Sequence, residues 1–275
     1  MNSQQVKGIR DQLLTMFSIA LSAVDGQQCT YEFLTRNSIA TIDVRVVAIG
    51  KAASAMMQGA MTALGDRLRS GLVITKQGDS LDSQGDAENR ITVLESDHPV
   101  PSKRSIAAGE HLLDFVNQVQ VDEVLLMLIS GGTSSLVEVL NENVTLEQLA
   151  RLNKWCLANP VSIAQINVLR KSISKIKAGR LLNYICTENI IQLTISDVQA
   201  NDLSVIGSGL LVINLNKDSR RVIESMSLPA WLVSLLPVEQ AIPDSMLGSA
   251  TKVKHHIIAD RPAKQLCIML GSRIL

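Results

Sequence analysis

At 275 residues the chain is long for one domain and short for two full ones, so a single large α/β domain is the leading expectation. Apolar residues make up 46% of it and aromatics only 3%, so Leu, Ile, Val, Ala and Met must fill the core. Lys+Arg and Asp+Glu balance at 26 each, which leaves no electrostatic footprint for nucleic acid, and no apolar run approaches the roughly 18 residues of a membrane span.

The first ten residues are polar and lack the apolar stretch of a signal peptide. Cys29, Cys156, Cys186 and Cys267 are scattered without a C-x-x-C pair, which reads as reduced thiols in a cytoplasmic protein. Val6, Ile9, Leu13, Phe17 and Ala20 recur at helical spacing and predict an opening amphipathic helix that ends near Asp25-Gly26. Arg45 to Ile49 is a short apolar strand stopped by Gly50, and Lys51 to Arg67 reads as an Ala/Met-rich helix. Leu72 to Thr75 and Ile91 to Leu94 are further strands, separated by a polar loop from Gln77 to Arg90.

Two prolines in His98 to Pro101 forbid regular structure, and Ser102 then offers an N-cap for a helix running to about Val116. Glu123 to Ile129 is the most buried-looking strand, and it runs straight into Ser130-Gly131-Gly132. A helix follows from about Leu146, Asn159-Pro160 breaks it, and a further helical segment spans Ser162 to Leu182. Ile190 to Ile195 is a strand closing at Ser196-Asp197; beyond Gly209 the pattern weakens, with a helix at Asp218 to Met226, a strand at His256 to Ala259 and an apolar tail at Ile268 to Leu270 that invites a covering partner. Strand and helix alternate, so right-handed crossovers and a three-layer α/β fold are expected, a parallel Rossmann-like sheet with helices on both faces. The expected division is a domain over 1–215 and a C-terminal extension over 216–275.

Ligands of open α/β sheets bind at the carboxyl ends of the strands, where four segments carry polar chemistry. Gly50 between strand and helix lets backbone N–H groups approach an anion, and Lys51 adds a point charge; the spacing is not that of a Walker A loop, and an ordinary surface lysine fits it too. Ser130, Gly131, Gly132, Thr133 and Ser134 form either a nest of amide and hydroxyl donors suited to phosphates or a plain Gly-rich turn. On a continuous helix Asn167, Lys171 and Ser174 share one face, within a run of five cations from Arg170 to Arg180 that contains no acid. That run fits an anionic ligand or a solvated basic face. Asp197 and Asp202 could hold Mg²⁺, accept a hydroxyl proton or cap a loop. His98, His111 and His255-His256 show no metal-ligand spacing.

Taken in order, these segments resemble the glycerate 2-kinase family, whose members are also named hydroxypyruvate reductases and carry a C-terminal domain known as MOFRL. The matching strings are Ser22-Ala23-Val24-Asp25, Gly50-Lys51-Ala52-Ala53, His98-Pro99-Val100-Pro101, Ser130-Gly131-Gly132, Asn167-x-x-Arg170-Lys171, Ile176-Lys177-Ala178-Gly179-Arg180-Leu181, Ser196-Asp197-Val198, Asp202-Leu203-Ser204 and Ser208-Gly209. The resemblance implies transfer of the γ-phosphoryl of ATP, with Mg²⁺, to the 2-hydroxyl of D-glycerate. By the same resemblance Lys51 matches a lysine essential for transfer, Ser130 to Ser134 match the phosphate-binding loop, and Asn167, Lys171 and Asp197 fall in motifs lining the cleft. The partners implied are a nucleotide and a small hydroxy acid, with a homodimer or a separate MOFRL-domain chain as further partners.

Departures from the family pattern are also visible. Thr133 stands where a third glycine is usual, which is expected to narrow the approach to phosphate; Ala200-Asn201-Asp202 replaces Gly-Asp-Asp, and Leu210 replaces a proline. The sequence stops at Leu275, about where the MOFRL domain would begin, so transfer is expected to need that domain from another chain or to be weak without it. The rival expectations are a degenerate, non-catalytic nucleotide- or small-acid-binding member or partner subunit, and a hydride-transferring reductase; the lack of a G-x-G-x-x-G after a strand counts against the reductase.

Overall fold

Six strands, all parallel, form one sheet in the order β3-β2-β1-β4-β5-β6. The computed structural model describes residues 3–22, 24–37, 43–79, 81, 90–213, 218–237 and 252–260. Helices α1 (Ser3–Ser22) and α2 (Gly26–Arg36) precede β1 (Val44–Ile49), which crosses through α3 (Ala53–Leu64) to β2 (Leu68–Lys76) and on to β3 (Ile91–Ser96). The chain then returns through α4 (Lys103–Asn117) to β4 (Val124–Ile129) on the other side of β1. Helices α5 (Thr133–Leu136), α6 (Leu146–Ala158) and α7 (Ile163–Ser172) lead to β5 (Ile190–Ile195), and α8 (Asp218–Glu224) and α9 (Ala230–Val233) lead to β6 (Lys254–Ala259).

The alternation of side chains along each strand divides the core in two. Val44, Val46 and Ala48 of β1 pack with Leu34 of α2 and with Met56, Met57 and Ala60 of α3 on one face. Val47 and Ile49 pack with Ala108, Leu112 and Val116 of α4 on the other. Both faces are therefore covered, and β4 is buried at every position, which is why its sequence is a continuous apolar run rather than an alternating one. The Ala/Met/Gly character of α3 also has a local cause. A Cβ at Gly59 would lie 2.2 Å from the carbonyl oxygen of Gln27, so α2 and α3 touch at backbone distance.

A third cluster joins Leu149, Leu152 and Cys156 of α6, Leu169 of α7, Ile173 just beyond it, and Leu232 and Leu235 of the α9 region. The guanidinium of Arg151 sits 4.0 Å from the centre of the Trp231 ring and ties α6 to α9. Strand β6 pairs with β5, so residues 254–259 belong to the same sheet as the strands before them.

The three-layer parallel fold expected from the alternation is the fold observed. Two helix boundaries differ markedly. The opening helix ends at Ser22, and Asp25 caps a second helix, its side chain accepting from the Gln28 N–H at 2.8 Å. The apolar residues Val6, Ile9, Leu13 and Phe17 of α1 remain exposed. The segment expected to be helical from Ser162 to Leu182 is helical only to Ser172. Ala178 (φ 55°) and Gly179 (φ 81°) are left-handed, and such backbone breaks a right-handed helix. No described helix is long and apolar enough to cross a membrane. The apolar tail at Ile268 to Leu270, and most of the loop from Gln77 to Arg90, lie outside the described residues.

Candidate functional site

Strand order reverses between β1 and β4, whose crossovers run to opposite sides, the position at which open α/β sheets place a ligand crevice beyond the carboxyl ends of their strands. Gly50 and Ser130 occupy those two ends and touch. A Cβ on Gly50, at φ 132°, would lie 2.1 Å from the Ser130 hydroxyl oxygen and 2.7 Å from its carbonyl oxygen, so only glycine fits. The two turns interlock through hydrogen bonds from the Lys51 N–H to the Gly131 carbonyl (2.9 Å), from the Ser130 N–H to the Ile49 carbonyl (3.0 Å) and from the Ala52 N–H to the Ser130 hydroxyl (3.1 Å).

Thr133 strengthens this junction. Its hydroxyl donates to the carbonyls of Ile49 (2.9 Å) and Ser130 (2.8 Å), and its side chain is fully buried beneath the turn. The methyl group there packs against Gly207 and leaves the outer side of the loop to Gly131 and Gly132. Among the described residues the N–H groups of Gly131, Gly132, Thr133 and Ser134 donate to no backbone carbonyl, so four successive amides remain for an acceptor. Gly132 is left-handed at φ 94°, as such a turn requires.

Three side chains close over this loop. The Asp197 carboxylate lies against Gly131, where an added Cβ would be 2.2 Å from its Oδ2. Lys51 and His98 both lie against Gly132: an added Cβ would be 3.1 Å from Lys51 Cγ and from His98 Cδ2. Partial burial, then the charges of Lys51 and Lys76, lower the pKa of His98. His98 was not singled out from sequence as a site residue; the available signal was its place in His98-Pro99-Val100-Pro101, a string with no periodicity to explain it.

Lys171 and Asn167 stand on α7, and Lys171 reaches a turn over residues 202–209. The Lys171 ammonium donates to the Ser204 carbonyl at 2.7 Å. Burial lowers its pKa, Asp202 acts to raise it, and Arg180 lowers it further. The turn over 202–209 in turn meets the Gly-rich loop, with Gly207 against Thr133 and the Ser208 and Ser134 hydroxyls 2.8 Å apart. Asp202 is spent on its own turn, accepting the Ser204 N–H at 2.8 Å. Asn201, where the family pattern carries an acid, donates to Asp260 beyond β6 at 2.6 Å, a bond that a second ionised carboxylate could not make. Leu210 is buried in the main core.

The basic run from Arg170 to Arg180 is not one solvated face. Lys177 is buried against Glu138, Lys175 meets Glu142 at 3.4 Å, and Arg170 donates to Asn153 at 2.8 Å. Arg180 donates to the carbonyls of Ser174 and Lys171, and burial pushes its pKa down to about 10. Ser174 is buried beyond the end of α7, so the shared face of Asn167, Lys171 and Ser174 does not form. Among the described residues no group of three His, Cys, Asp or Glu side chains is placed to hold a metal ion.

Comparison with known proteins adds the following. Residues 12–234 match the model of a family described as a domain of unknown function, DUF4147. A D-glycerate 2-kinase of Thermotoga maritima is 38% identical over 166 residues, 60% of this chain and 39% of that protein. A putative hydroxypyruvate reductase of Agrobacterium vitis is 36% identical over 169 residues, 62% of this chain and 43% of that protein. The crystal structure of a glycerate kinase from Thermotoga maritima superposes with a TM-score of 0.80 at 27% identity, covering 97% of this chain and 63% of that one. The chain thus spans about two fifths of these curated relatives and under two thirds of the solved one.

Proposed function

The chain belongs to the DUF4147 family, and on that premise we propose that it binds ATP at the β1/β4 crevice and takes part in transferring the γ-phosphoryl to the 2-hydroxyl of D-glycerate. The observation that carries this reading is the interlock of Gly50-Lys51 with Ser130 to Ser134: four amides without a carbonyl partner, a lysine beside them and a carboxylate over Gly131. Phosphoryl transfer asks a protein for positioning and charge stabilisation rather than covalent chemistry. Backbone amides of Gly131 to Ser134 cradle phosphate oxygens, and Lys51 supplies positive charge where the transferred group gathers negative charge. Lys171 and Asn167, across the 202–209 turn, meet the remaining polar groups of nucleotide or acid.

Mg²⁺ is held in such sites by one or two carboxylates together with substrate phosphates, not by a cage of protein ligands. A single exposed carboxylate against the phosphate loop fits that demand, and the lack of a three-ligand cluster among the described residues agrees with it. Asp197 is therefore the metal carboxylate in this reading, while Asp202, committed to Ser204 and facing Lys171, is a turn cap. When bound, the cation neutralises charge on the β- and γ-phosphates.

The test is ADP release coupled to D-glycerate, comparing the chain with its Lys51→Ala variant, with calorimetric titration of ATP-Mg²⁺ alongside. Loss of one such charge stabiliser costs about 10²–10³-fold in turnover. Equal rates remove Lys51 from the mechanism. Binding without turnover in the unaltered chain favours a non-catalytic nucleotide-binding member, and no binding at all removes the kinase reading.

A further inference from the structure

Lys177 has 1% of its side chain exposed and Glu138 none, and the two form an ion pair beneath the Gly-rich loop. Buried lysine is unusual because its ammonium loses its hydration, and an apolar pair of similar volume commonly serves stability as well or better. What an apolar pair cannot do is hold a carbonyl. The Lys177 ammonium also donates to the carbonyl of Ser134 at 2.9 Å, the last residue of the four-amide stretch.

The same short turn holds the opposite wall. The N–H groups of Ala178 and Gly179 donate to the carbonyls of Ser208 (3.0 Å) and Gly209 (2.7 Å), and Ser208 meets Ser134 through their hydroxyls. Arg180 closes the end of α7 by donating to the Lys171 carbonyl. Glu138 is itself anchored, its N–H donating to the Ser105 carbonyl of α4 at 3.0 Å and its Oε1 accepting the Val139 N–H at 3.1 Å. Residues 174–180 therefore reach the Gly-rich loop, the 202–209 turn and the end of α7 at once.

We propose that Lys177, held by Glu138, is a positioning residue for the site: through the Ser134 carbonyl it sets the four amides of the Gly-rich loop in register with the 202–209 turn and Lys171. It touches no substrate. The inference rests on the phosphate-binding reading for its consequence in affinity, but its structural half stands without any ligand.

The experiment uses the whole chain carrying Lys177→Met/Glu138→Leu, which removes both charges together and so leaves no unpaired buried carboxylate. Hydrogen exchange is followed without ligand, and ATP-Mg²⁺ affinity by calorimetry. The expected result is exchange about ten times faster in the segments holding Lys51 and Ser135 to Val137, with β1 and β4 unchanged. Affinity for ATP-Mg²⁺ falls by about 10–100-fold, the scale on which small misplacements act. If the apolar pair does not fold, Lys177→Gln/Glu138→Gln serves instead, because glutamine is too short to reach Ser134, and the same loss is expected. Exchange that is unchanged, or that rises evenly over the sheet, overturns the proposal. Failure of the unaltered chain to bind ATP-Mg²⁺ while the local exchange effect appears sinks the nucleotide reading and leaves the positioning role standing.

Discussion

Gly131 carries the most direct residue-scale test of the site. Its missing side chain is the space that the Asp197 carboxylate occupies, at 2.2 Å from an added Cβ. Gly131→Ala should therefore displace an exposed acid from the loop with little effect on folding, and lower ATP-Mg²⁺ affinity by about tenfold, the order of one charge-assisted contact; unchanged affinity in a titration would separate Asp197 from the metal. His98 offers a second test. Its folded pKa is lowered by burial and by Lys51 and Lys76, so the neutral form is favoured in the folded state. The sign follows: the imidazole contributes nothing unfavourable above its ordinary 6.5, and stability declines as pH falls from there through the lowered folded value. The His98 ring signals should titrate below 6.5 by NMR, and Lys51→Met should move the midpoint upward by removing one of the two charges. A midpoint indifferent to Lys51 would contradict their adjacency.

At the scale of elements, helix starts marked by a capping serine were legible, and the stop of α7 was not. Ser102 accepts the Arg104 N–H at 3.0 Å while Ser105 answers the Ser102 N–H at 3.0 Å, the capping box that opens α4. Ser102→Ala should cost about 1 kcal/mol in a urea unfolding experiment, without altering ATP-Mg²⁺ affinity. The end of α7 could not be placed because Ile166, Leu169, Ile173 and Ile176 keep a helical period across it. The last two are buried by other contacts, with Ile173 in the α6–α9 cluster and Ile176 in the main core. Periodicity reports which residues are buried, not which hydrogen bonds join them. A left-handed alanine at 178 has no signature of its own, and only Gly179 hinted at the turn. The second helix, α2, escaped notice for a related reason, since Gly26, Gln27 and Gln28 open it and its buried face is only Gly26, Thr30 and Leu34.

For the whole molecule, one sheet carries both the Gly-rich crevice and the C-terminal strand, so a ligand at the crevice should stabilise the chain as a unit. ATP-Mg²⁺ at a hundred times its Kd should add about 2.7 kcal/mol and raise Tm by roughly 5–10 °C. A Lys51→Ala variant should show a smaller shift. The chain covers 63% of the solved relative, so assays with the remaining part of such a protein added in trans address transfer, whereas the thermal shift addresses binding alone.

The sequence by itself determined the parallel three-layer architecture, because strands buried on both faces must be continuously apolar and must alternate with amphipathic helices. It also put Gly50-Lys51 and Ser130 to Ser134 at the ends of β1 and β4, because glycines at strand ends mark backbone that other backbone must approach. Tertiary structure alone decided which charges are available to a ligand. Five cations between Arg170 and Arg180 look equivalent along the chain, yet all five are turned to Glu138, Glu142, Asn153 or backbone carbonyls, Lys171 to that of Ser204. The site's third side chain, His98, came from a loop some thirty residues before the glycines it covers. Both outcomes depend on the counter-charge or the neighbour being distant in sequence and close in space, a relation that composition and spacing do not encode.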